Sequence, residues 1–159
     1  MKLPLKLELM PIFDLYLPQV IDEEDSCPIV EEKIEPEGGS GTILVVEDDP
    51  DTLNALAEFL TRDGYTVITA VDGQDAVEQF AARADEIRLV ISDVVMPRKS
   101  GKEACTEIKM LSDNVKFLFV SGYSDRVIAR EGGLEGDGPL IEKPVMPYVL
   151  LSEIRKLIG

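Results

Sequence analysis

From Thr42 to the last residue, short apolar runs alternate with helix-patterned stretches five times. No other feature restricts the fold so tightly. Ile43-Leu44-Val45-Val46 is an uninterrupted apolar run, as a strand buried on both faces requires. Asp49-Pro50 supplies an N-cap followed by proline at the first helical position. Leu53, Leu56, Ala57 and Leu60 then recur at helical spacing until Gly64. Tyr65 to Ala70 reads as the second strand, and Gly73 to Ala84 as the second helix, with Ala76, Val77 and Phe80 on one face. Leu89-Val90-Ile91 is the third strand, Lys102 to Leu111 a helix, and Lys116 to Val120 the fourth strand. A glycine-interrupted helical piece starts near Asp125. Leu140-Ile141 is the fifth strand, and Met146 to Ile158 closes with a helix carrying Val149, Leu150, Ile154 and Leu157.

Alternation at this pitch implies an α/β fold, a parallel sheet with helices on both faces and right-handed crossovers. Five strands favour the flavodoxin-like, doubly wound order 2-1-3-4-5, whose binding crevice opens at the carboxyl ends of the strands. Any functional side chains are therefore expected at strand ends. No period of 20–50 residues repeats, which excludes a solenoid.

Upstream the pattern is different. Between Asp22 and Glu37, eight acids face one base, Lys33, a net of −7 in 16 residues, with Pro28 and Pro36 inside and Gly38-Gly39-Ser40-Gly41 at the end. Residues 22–41 are accordingly expected to form an extended acidic linker. Residues 1–21 hold one alternating piece, Phe13 to Pro18, without a partner strand nearby. Met1 to Phe13 is apolar-leaning but broken by Lys6, Glu8 and two prolines, and is not read as a signal peptide. The apolar runs are far too short for a membrane span. The expected location is the cytoplasm, which two cysteines without metal spacing or a disulfide framework also suit.

Composition removes several kinds of chemistry. The chain has no histidine, so Ser-His-Asp and Cys-His catalysis, histidine-ligated zinc and a phosphohistidine of its own are excluded. Lys+Arg is 16 against Asp+Glu 31, a net of −15, and nucleic-acid binding by this chain alone is not expected.

What remains is chemistry by carboxylates. Strand 1 ends in Glu47-Asp48-Asp49 and strand 3 in Ser92-Asp93, and these ends are neighbours in the expected order. Converging carboxylates raise one another's pKa unless a cation intervenes. Hard oxygen ligands with room for water and phosphate oxygens suit Mg²⁺ better than Ca²⁺ or zinc. Asp49, directly before Pro50, is better placed to cap the helix. The competing reading is that acids simply favour helix N-termini. Strand 4 ends in Val120-Ser121-Gly122 and strand 5 runs into Lys143-Pro144. A hydroxyl and an ammonium facing a metal and a carboxylate form a site for a phosphoryl group, with the carboxylate as nucleophile.

Four ordered motifs, ILVVEDD at 43–49, ISDVVMP at 91–97 with Gly101 beyond, FVSGY at 119–123 and IEKP at 141–144, closely resemble the receiver domain of two-component response regulators. The resemblance spans Gly41 to Gly159, with 42–159 as the receiver domain. It implies that Asp93 is the phosphoacceptor, and that Asp48 binds Mg²⁺ directly and Glu47 largely through water. The Val95 backbone carbonyl would complete the metal shell, Ser121 would follow the phosphoryl group, and Lys143 would pair with it. A cis peptide between Lys143 and Pro144 is also implied. Phe13 to Pro18 with the acidic tether resembles the last strand of a histidine-kinase ATP-binding domain and its linker, as in hybrid kinases.

One residue departs from the pattern: many receivers carry Tyr or Phe three positions before the lysine, where this chain has Leu140. With Gly132, Gly133, Gly136 and Gly138 just upstream, aromatic switching at that face is not expected. The leading expectation is a module that takes a phosphoryl group from a partner's phosphohistidine and turns over no separate substrate. The expected partners are a histidine kinase, a histidine phosphotransfer protein or a second copy of the chain. A pseudo-receiver without chemistry and a haloacid-dehalogenase-like phosphatase are the alternatives. The latter family wants a second Asp where Val95 stands.

Overall fold

The computed structural model describes residues 39–122 and 136–159. The tail at 1–21, most of the proposed linker, Tyr123 and the helical piece expected near Asp125 lie outside the described residues. Five strands form one sheet: β1 (Thr42–Val46), β2 (Thr66–Ala70), β3 (Ile87–Asp93), β4 (Lys116–Ser121) and β5 (Leu140–Glu142). Their order is β2-β1-β3-β4-β5, and every neighbouring pair is parallel. The expected fold class is the one found.

The helices are α1 (Pro50–Arg62), α2 (Gly73–Ala82), α3 (Gly101–Leu111) and α4 (Pro147–Ile158). Three of the four begin at a side-chain cap. Asp49 caps α1 through the N–H of Thr52, with Pro50 next. Asp72 caps α2 through the N–H groups of Gln74 and Asp75. Ser100 and Glu103 form a reciprocal capping box on α3.

Alternation along each central strand splits the core in two. On one face Leu44, Val46, Val90 and Phe119 pack with Ala76 and Phe80 of α2 and Ala104, Cys105 and Ile108 of α3. On the other, Ile43, Val45, Ile91 and Leu118 pack with Leu53 and Leu60 of α1 and Leu150 and Ile154 of α4. The consecutive apolar run of β1 is buried along its whole length, because both faces of the strand are covered.

Strand β3 is longer than its apolar run suggests. It continues through Ser92 to Asp93, two polar residues that are themselves buried. Hydrophobicity marks the middle of a central strand, while the polar end belongs to the crevice. Among the described residues no helix is long and apolar enough to cross a membrane.

Candidate functional site

The register of the sheet carries Glu47, Asp93 and Ser121 to one edge. Val46 pairs with Ser92, so the residues that follow on β1 and β3 stand side by side. Asp93 pairs with Val120, which puts Ser121 one step beyond it. Lys143 follows β5, and its backbone N–H donates to the Ser121 carbonyl at 2.8 Å. The next peptide bond, Lys143-Pro144, is cis.

Lys143 draws the acids together. Its Nζ donates to Asp93 Oδ2 at 2.6 Å and to Glu47 Oε2 at 2.8 Å. Glu47 and Asp93 are only 5% and 7% exposed, so the acid side of both ion pairs is shielded from water, while Lys143 stays partly open to it. Burial alone would lower the Lys143 pKa, but the hydrogen bonds to Asp93 and Glu47, together with their charges, outweigh it and raise the pKa above its ordinary value. Asp93 Oδ1 also accepts from the Val95 N–H at 3.0 Å.

Carboxylate oxygens of Glu47, Asp48 and Asp93 lie within 4.8 Å of one another. Three carboxylates and one ammonium leave a formal charge of −2, which a single divalent cation would cancel. Asp48 is exposed and has no ion-pair partner among the described residues, so it remains open to a ligand from solvent. Hard, anionic oxygens in a small group fit Mg²⁺. Asp49 is occupied elsewhere, since its bonds from Thr52 hold its carboxyl below the usual pKa.

Ser121 is fully buried, and its hydroxyl has no hydrogen-bond partner. A buried unpaired hydroxyl is costly in a resting site and useful where an incoming oxygen will meet it. It does not bond to Asp93 or Lys143. The structure thus brings together Glu47, Asp48, Asp93 and Lys143, with Ser121 beside them. Leu140 sits on β5 and is 37% exposed.

Sequence reasoning missed two participants around this crevice. Asp72 and Arg98 form an ion pair between the β2–α2 turn and the β3–α3 loop. Nothing local to either residue announces a partner in another loop. It also missed that Lys143 bonds to Glu47 as well as Asp93.

A family model described as the response regulator receiver domain matches residues 43–155. The sensor kinase CckA of Brucella abortus is 31% identical over 153 residues, covering 92% of this chain and 16% of that protein. The first two curated relatives are matched over less than half of their own length, 16% and 42%. Among solved structures, a response regulator receiver domain protein from Clostridium thermocellum is similar with a TM-score of 0.70 and 29% identity, over 74% of this chain and 94% of that one. The response regulator TrrA of Thermotoga maritima, solved in complex with Mg²⁺-BeF, is similar with a TM-score of 0.65 and 28% identity, over 74% of this chain and 98% of that one. The chain belongs to the response regulator receiver domain family of two-component systems.

Proposed function

We propose that this chain is a phosphoacceptor module that takes a phosphoryl group from a partner's phosphohistidine onto Asp93. The observation that carries the reading is the double contact of Lys143 with Asp93 and Glu47, beside an exposed Asp48. Asp93 Oδ2 and Oδ1 are held by Lys143 and by the Val95 N–H, so the carboxylate is fixed as a nucleophile at the mouth of the crevice. Asp48, Asp93 and the Val95 carbonyl would hold Mg²⁺, with Glu47 reaching it largely through water. The TrrA structure, solved in complex with Mg²⁺-BeF, supports Mg²⁺ as the cation. When bound, the cation offsets the negative charge on the transferring oxygens.

The chain's own groups do the rest. The Asp93 oxygen forms the new bond to phosphorus as the bond to the donor imidazole nitrogen breaks, and the electron pair leaves with that imidazole. Lys143 exchanges a carboxylate partner for a phosphoryl oxygen without leaving the crevice. The Ser121 hydroxyl, unpaired at rest, supplies a bond to another phosphoryl oxygen. Hydrolysis of the aspartyl phosphate restores Asp93, and no separate substrate is turned over.

The donor is a histidine kinase or a histidine phosphotransfer protein, and the chain itself is read as cytoplasmic and as binding neither nucleic acid nor membrane. The match to CckA covers more of the chain than residues 42–159 can supply, which supports reading 1–21 and 22–41 as a kinase-derived tail and an acidic tether. The test is incubation with Mg²⁺ and a small acyl phosphate, followed by intact mass. The expected result is a phosphate-sized gain that is absent in Asp93→Ala. Modification that persists in Asp93→Ala would move the acceptor elsewhere.

A further inference from the structure

The loop between β3 and α3, residues 94–100, starts at the proposed acceptor and is anchored at its far end on α3. Ser100 caps that helix, and Lys99 Nζ donates to both carboxylate oxygens of Glu107 at 2.7 Å. Between these anchors Arg98 has a φ of 66°, the only non-glycine residue with a positive φ among the described residues. An arginine gains nothing from its Cβ in that conformation, which glycine adopts freely. Something other than local preference keeps an arginine there.

That something is Asp72. The Asp72 side chain is 1% exposed, while that of Arg98 is 69% exposed. Asp72 Oδ1 is taken by the N–H groups of Gln74 and Asp75 at 2.8 and 2.9 Å. Oδ2 makes no hydrogen bond of regular geometry, and the Arg98 guanidinium is its charge partner. A buried carboxylate stripped of its cation is strongly disfavoured, so the pair resists opening. Next to it, the Gly73 N–H donates to the Lys99 carbonyl at 3.2 Å, and a Cβ on Gly73 would overlap that carbonyl. The start of α2 therefore grips the loop at two consecutive residues, 98 and 99.

We propose that Arg98 is a positioning residue: its ion pair with Asp72 fixes the β3–α3 loop so that Val95 keeps its N–H on Asp93 and its carbonyl at the metal position. The inference rests on the function proposed above. Arg98 touches no reacting atom and acts only through the loop. Supports of this kind behind a ligand set typically change metal affinity by about tenfold or more when removed.

The test measures Mg²⁺ affinity by calorimetry alongside melting temperature, in full-length chain. Arg98→Gly suits the positive φ but removes the guanidinium. It trades relief of the positive φ against an uncovered Asp72 carboxylate, so the melting temperature should move by no more than a few degrees, yet Mg²⁺ binding should weaken about tenfold. Asp72→Asn keeps an oxygen for the α2 cap and loses the charge, and should weaken binding similarly. The double variant should lose no more than either single one, since both remove one interaction. Arg98→Lys should retain most of the affinity. Wild-type affinity in Arg98→Gly and Asp72→Asn, an additive double variant, or affinity that falls only in step with stability would overturn the proposal. Asp48→Asn serves as the metal-binding control. If wild type binds Mg²⁺ and Asp48→Asn does not, while Arg98→Gly binds normally, only the role of Arg98 fails. If wild type binds none, the proposed function fails and this inference with it.

Discussion

The ammonium of Lys143 lies 2.6 Å from the carboxylate of Asp93, joining the ends of two strands that are 50 residues apart in sequence. The same nitrogen reaches Glu47 across 96 residues. One cation thus holds two buried acids and leaves a third, Asp48, facing solvent. The arrangement is internally incomplete in charge.

Mg²⁺ is expected to stabilise the fold by mass action. At a free concentration about one hundred times the dissociation constant, the gain is about 2.7 kcal/mol, which corresponds to a rise of several degrees in Tm. Asp48→Asn removes a proposed ligand and one of the repelling charges. Its melting temperature without metal should equal or exceed that of wild type, and its response to Mg²⁺ should be largely lost. Thermal melts over an Mg²⁺ series check both halves, and an undiminished response in Asp48→Asn would remove that residue from the ligand set.

Lys143→Met should destabilise the metal-free protein by about 1–2 kcal/mol, less than for a fully buried pair because the lysine side chain is 32% exposed. The deficit has a definite pH dependence. The folded-state pKa of Lys143 is raised above the ordinary 10.5, because its bonds to Asp93 and Glu47 outweigh burial. A raised lysine stabilises fully below its unfolded pKa and loses that contribution as pH climbs through the folded one. The gap between wild type and Lys143→Met should therefore be flat across neutral pH and narrow above about pH 10.5. Denaturant melts at several pH values measure it, and a gap that widens in alkali would contradict the ion-pair account.

Cys105 lies on α3 within the core, 1% exposed, and burial pushes its thiol up to about 11. Both access and thiolate fraction are then low at pH 8. In a Cys27→Ser background, a thiol reagent should leave the native protein unlabelled and react once denaturant opens the fold. Rapid stoichiometric labelling of native protein would mean that α3 opens far more readily than its packing implies.

The parts of the fold written in local patterns were legible. Asp49-Pro50 and Gly64 bracket α1, and the run Ile43 to Val46 announces a strand covered on both faces. Strand order followed from alternation, and the site from asking what stands at strand ends. Illegible were features that depend on which loops touch. The start of β3 at Ile87-Arg88 was hidden, because an exposed arginine interrupts the apolar run there. The Asp72–Arg98 pair joins two loops through space, and neither residue has a local reason to seek the other. Lys143 was read as a partner for the acceptor, but its second bond, to Glu47, depends on the side-by-side placement of β1 and β3.

Gly101, the first residue of α3, offers the sharpest test of how closely the scaffold fixes the acceptor. A Cβ there would collide with the Asp93 carbonyl and the Ser92 hydroxyl. The Ser92 hydroxyl already donates to that carbonyl at 2.9 Å, and the Gly101 N–H donates to the Val94 carbonyl at 3.2 Å, so there is no slack to absorb a methyl group. Alanine is the better helix former by about 1 kcal/mol, and on propensity alone Gly101→Ala would stabilise α3. Overpacking against backbone works the other way by about 1–3 kcal/mol and should win, because a carbonyl in a central strand cannot rotate aside as a side chain would. The displacement falls on the peptide carrying Asp93, so modification by an acyl phosphate should slow along with the drop in Tm. Ser92→Ala in the same background relieves one of the two collisions and should recover part of the stability. If Gly101→Ala proves as stable and as readily modified as wild type, α3 can shift on the sheet without disturbing the site.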